Sequence, residues 1–126
     1  MKISVLMTVK AISAIIVGWI LLIAPDLFLT LLGVPISQGA AMYGRLYGAA
    51  CLGIFMLTWF ARHAEESTAR WAIILDLCVY DAIAFIVTMI VMLSSKINAL
   101  GWLFAAFYLF FTLTFGYFLF PKKAKI

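Results

Sequence analysis

Residues 38–60 read "QGAAMYGRLYGAACLGIFMLTWF", a run of 23 residues in which Arg45 is the only charge. A helix needs about 20 largely apolar residues to cross about 30 Å of hydrocarbon, so this run is long enough to span a bilayer. It is too long for a strand of a membrane barrel, which spans with about 9–11 residues. The stretch is therefore a transmembrane helix that carries an arginine.

Three more windows of the same kind surround it, about 3–24, 71–93 and 99–120, and the segments between them carry breaker chemistry. "APDLF" stops the first run at Pro25, and "LGVPISQG" holds Gly33 and Pro35. "ARHAEESTAR" (61–70) is the one polar loop, and "SSKINALG" (94–101) ends the third run. Asp26 opens "DLFLTLLGV" and is a good N-cap residue, so a short interfacial helix is expected after the first span. Lipid offers no partner for backbone N–H and C=O groups, which leaves an all-α, four-helix membrane bundle as the fold. Composition agrees. The chain has 126 residues, 67% apolar and 11% charged, and its mean hydropathy is +1.20. Soluble domains carry about 25% charged residues. One domain, 1–126, is expected.

Lys2 and Lys10 precede an apolar run, as in a secretory signal. However, Leu22 stands where cleavage needs a small residue and Pro25 follows Ala24, so the first helix is read as retained. With four spans, both termini and the 61–70 loop share a side. That side gathers Lys2, Lys10, Arg62, Arg70, Lys122, Lys123 and Lys125, while the other side's loops hold Lys96. Positive-inside bias then predicts an inner-membrane protein with both termini in the cytoplasm. Trp59 and Trp71 fall at the inner ends and Trp19 and Trp102 toward the outer ends, as an aromatic belt would place them. The net charge of +4 follows from this loop bias and does not point to nucleic acid.

The intramembrane charges are the chemistry to explain. "LDLCVYDAIAF" (75–85) adds Asp76 and Asp81 to Arg45, and Lys10 lies inside the first span. At 1.5 Å per residue, Arg45 and Asp81 fall about 10 and 18 Å from the outer ends of their helices. Asp76 and Lys10 both fall within about 10 Å of the inner ends. Depth thus suggests two opposite-sign pairs, Arg45 with Asp81 and Lys10 with Asp76. Either such pairs fix helix register, or they line a polar cavity for a ligand, proton or ion, since intramembrane ionisable groups mark such sites. Tyr43, Tyr47 and Tyr80 supply hydroxyls nearby. Tyr80 lies four residues from Asp76, on one face, where the two can share a hydrogen bond. Tyr43 reads as an interface anchor. Ligand-binding candidates are therefore Arg45, Asp81, Tyr47, Asp76, Tyr80 and Lys10.

Ala40, Gly44 and Gly48 repeat every four residues and mark either a dimer face or, as we favour, close packing within the bundle. Cys51 and Cys78 lie near mid-membrane without a CxxC motif and read as small buried hydrophobes. His63 is the only histidine and lies in the polar loop, so neither haem ligation nor a metal site is expected. No nucleophile triad, P-loop or glycine-rich nucleotide motif is present, and no cofactor or catalytic residue is assigned.

The layout of "PDLF" and "LGVP" after the first span, "YGRLYGAACLGIFML" opening the second and "INALGW" before the fourth resembles the DoxX-like and related small four-helix membrane proteins. That resemblance covers nearly the whole chain and implies the fold. Founding members of the group are linked to quinone-coupled thiosulfate oxidation as an accessory membrane subunit, but no residues here carry that chemistry. Expected partners are the lipid bilayer, a lipid-like or anionic ligand, and a second copy or another membrane protein. The alternatives are an accessory subunit with no ligand site, or a membrane enzyme using Asp76 or Asp81 as acid/base.

Overall fold

The structure is a computed structural model that describes residues 2–94 and 97–119. Ser95, Lys96, Lys122, Lys123 and Lys125, some of which enter the orientation argument, lie outside the described residues. Among the described residues there are five helices and no strand: α1 (Ile3–Ile23), α2 (Pro25–Leu32), α3 (Gln38–Ala61), α4 (Thr68–Leu93) and α5 (Leu100–Leu119). All but α2 are long and apolar enough to cross a membrane. At 1.5 Å per residue, the shortest of these four, α5, is about 30 Å long.

Local chemistry sets the ends. Ala24 precedes proline, which disfavours the helical region for it, and its φ of −135° and ψ of 64° end α1. Pro25 then occupies the first position of α2, where its missing N–H costs nothing. Asp26 is not the cap expected of it. It lies in the first turn of α2, where its carboxylate still faces the positive end of the helix dipole. Gly33 closes α2 at φ 75°, with its N–H on the Thr30 carbonyl at 3.0 Å and that of Val34 on Leu29 at 2.9 Å. This is a Schellman motif, and only glycine adopts its left-handed residue without strain. Ser37 caps α3 by accepting from the Ala40 N–H (3.0 Å), and Ser67 caps α4 by accepting from that of Arg70 (3.1 Å). The Ser67 cap starts α4 three residues before the expected position 71. Asp76 therefore lies eight residues, or about 12 Å, inside α4.

The chain divides into two compact units, Met1–His63 and Ala64–Ile126. In the first, α1 runs against α3 and α2 touches both. Gly18 and Gly48 meet at this crossing. A Cβ on Gly48 would lie 2.9 Å from the Gly18 carbonyl oxygen, and one on Gly18 would lie 3.1 Å from that of Gly48. Gly44 faces Leu21 and Pro25 at ordinary contact distance. The small-residue face of α3 is thus occupied by this chain's own α1 and α2. In the second unit, α4 runs against α5. Phe107, Phe111 and Phe115 form a ring ladder with centroids 4.9 and 5.9 Å apart, and Gly101 fits beneath Met92 and Ile97.

Candidate functional site

Burial sorts the four intramembrane charges differently from depth. Lys10 and Asp81 are buried, Asp81 completely, whereas Arg45 and Asp76 are exposed. Depth along a helix says nothing of azimuth, and azimuth decides which charges are enclosed.

Arg45 sits on the second turn of α3 and reaches back to α1. Its Nε donates to the Leu22 carbonyl at 3.3 Å. Leu22 is among the last four residues of α1, whose carbonyls have no partner within the helix. Arg45 therefore answers one of these exposed oxygens at the negative end of the α1 dipole. The guanidinium has five N–H donors in a planar fork, and this contact uses one. Among the described residues, Arg45 makes no other hydrogen bond or ion pair. Tyr43, two residues earlier, is 68% exposed, as an interface anchor would be.

Deeper in the same unit, Lys10 on α1 is buried, and Tyr47 and Cys51 lie one turn apart on α3. Tyr47 and Cys51 are within hydrogen-bonding reach, and Lys10 is near enough to act electrostatically on the thiol. Tyr47 is half-buried and Cys51 buried. Cys51 is free and buried, in line with its reading as a small buried hydrophobe, and its i, i+4 spacing places it one turn from Tyr47.

The second unit holds Asp76, Cys78, Tyr80 and Asp81. Asp76 is exposed and has no hydrogen-bond or ion-pair partner among the described residues, so the expected bond to Tyr80 is not formed. Tyr80 is half-buried. Cys78 donates from Sγ to the Thr112 carbonyl at 3.5 Å and lies within electrostatic reach of Asp81, three residues on. Both cysteines are free, and no group of three or more His, Cys, Asp or Glu able to hold a metal occurs among the described residues.

Buried Lys10, Cys51 and Asp81, half-buried Tyr47, Cys78 and Tyr80, and two exposed charges, Arg45 and Asp76, thus make up the candidate chemistry. Of these, the Arg45 fork is the group with donors to spare toward the surroundings of the chain. No family model, curated protein or solved structure matches this chain.

Proposed function

We propose that the chain is an integral membrane four-helix protein, N-in and C-in, that binds an anionic, lipid-like ligand, with Arg45 supplying the recognising charge. The observation that carries this reading is the exposed guanidinium of Arg45, on an otherwise apolar spanning helix, tied by Nε alone to Leu22. A charge at mid-bilayer costs at least ~2.5–3.5 kcal/mol, a cost that falls toward the headgroup layer. Arg45 stands level with the end of α1, where α2 turns off, and such a level suits a headgroup. Its terminal nitrogens match the two oxygens of a phosphate or carboxylate, a geometry that lysine cannot reproduce.

The test compares Arg45→Lys and Arg45→Gln with the parent chain after gentle purification, with native mass spectrometry and thermal unfolding on the same samples. Arg45→Gln is expected to cut co-purified anionic lipid about tenfold, a change of ~1.4 kcal/mol, and Arg45→Lys to fall between. A folded Arg45→Gln variant that retains its bound lipid ends the reading.

A second reading, an accessory subunit of a larger membrane complex, draws on Asp76. An exposed carboxylate about 12 Å inside a spanning helix suits a cationic partner helix, because helices in lipid use polar side chains to associate. Loss of a co-purifying chain in Asp76→Asn, with anionic lipid unchanged in Arg45→Gln, would favour it.

A further inference from the structure

The exposed face of α3 differs from the other exposed helix face of its unit. On α1, Val5, Val9, Ile12 and Ile16 put a bulky side chain outward at every turn. On α3, the positions that continue the azimuth of Arg45 are Ala49, Gly53, Met56 and Phe60, all within about 80° of one another at 100° per residue. Ala49 and Gly53 are exposed, and a Cβ on Gly53 would meet nothing within 4 Å. Immediately beyond, Gly53, Met56, Leu57, Phe60 and Ala61 line an open apolar groove. The face is a furrow with a cation at one end.

Resting on the reading of Arg45 given above, we propose that this furrow seats one phosphate-bearing anionic lipid, with its phosphate on Arg45 and an acyl chain over Ala49 and Gly53 to the near edge of the groove at Met56. Charge complementarity selects this occupant. A partner helix would fill the apolar part but leave the guanidinium without an anion, whereas a lipid brings both from the bilayer. Length agrees. Gly53 and Met56 lie 8 and 11 residues from Arg45, about 12 and 16 Å along the axis, against about 15 Å for one leaflet's hydrocarbon, so the acyl chain ends at the near edge of the groove. Small residues let the chain lie close to the helix backbone, where dispersion contacts are densest.

The experiment places the full chain in phosphatidylcholine nanodiscs doped with phosphatidic acid that carries a diazirine near the end of one acyl chain. After irradiation, the adducts are mapped by peptide mass spectrometry. Adducts are expected to concentrate within 53–57. Gly53→Phe, which fills the furrow, should lower them at least fivefold without lowering thermal stability, and Gly53→Leu is the milder substitute if phenylalanine does not fold. Arg45→Gln should lower them by a similar factor, and a diazirine phosphatidylcholine should not label the stretch selectively. Adducts spread evenly over the helices, with Gly53→Phe indifferent, would overturn the furrow. The Arg45 reading would survive that result if Arg45→Gln still loses phosphatidic acid, and would fall with it otherwise. Disulfide formation between two copies carrying Gly53→Cys, with no lipid adducts on α3 of the parent chain, would assign the face to a second copy and also overturn the proposal.

Discussion

Gly48 and Gly53 are five residues apart on α3, yet their surroundings are opposite. Gly48 has the Gly18 carbonyl and Leu21 at 2.9 and 3.0 Å from where a methyl would stand, and neither a backbone oxygen nor a Cβ can swing away. Gly53 has open space. Gly48→Ala should therefore push α1 from α3 and cost roughly 1–3 kcal/mol. Gly53→Ala should be neutral or stabilise by up to about 1 kcal/mol, through the lower conformational entropy of the unfolded chain. Thermal unfolding of both variants in one detergent checks the contrast, and equal losses would contradict the helix crossing described here. The sequence marked Gly48 through its spacing from Gly44; Ala14 and Gly18 repeat at the same spacing in α1, but nothing in the sequence paired that face with Gly48. Arg45 was conspicuous as the only charge in its span. Its contact with Leu22 was not legible, because it depends on α1 ending at that level beside the second turn of α3.

At the scale of the helix, the side-chain hydroxyls turn inward on their own backbone. Thr8, Thr58, Thr88, Thr112 and Thr114 each donate to the carbonyl four residues earlier at 2.7 or 2.8 Å, and Ser94 does so at 2.9 Å. A threonine in lipid thus meets its need without a neighbour, at the expense of slight helix bending. Thr58 is fully buried, so Thr58→Val should leave helix pairing intact and shift stability by less than about 1 kcal/mol, measured by thermal unfolding. Capping serines behave differently. Ser67→Ala removes the acceptor for the Arg70 N–H and should cost about 1 kcal/mol, seen as faster amide exchange over residues 68–71. Spans were legible because apolar length dominates, and the α3 start agrees with its reading. The α4 start was missed because Ser67 lies in a polar loop, where a cap looks like any loop serine.

For the whole molecule, composition alone separates a membrane chain from a soluble one, and four of the five helices have the length and apolarity to cross. The proposed orientation has its own test. With Cys51 and Cys78 replaced by alanine, a cysteine at Ser37 should react with an impermeant maleimide on intact cells. One at Ser67 should react only after permeabilisation. Labelling of position 67 from outside would reverse the orientation. What the sequence did not disclose is the division into two units, each holding a pair of long helices. Hydrophobic periodicity is weak when lipid and helix neighbours are equally apolar, so the pattern that assigns partners in a soluble bundle is missing.

The inward-turned hydroxyls bear on how such a chain is made. A nascent helix enters the bilayer before its neighbours exist, and any hydroxyl awaiting a later helix would meet hydrocarbon unsatisfied. Here those six threonine and serine side chains close their bonds within one turn of helix, so no bond waits on the order of synthesis. Partners can then be exchanged, or a helix pair assembled late, without leaving any of these hydroxyls unsatisfied on the way.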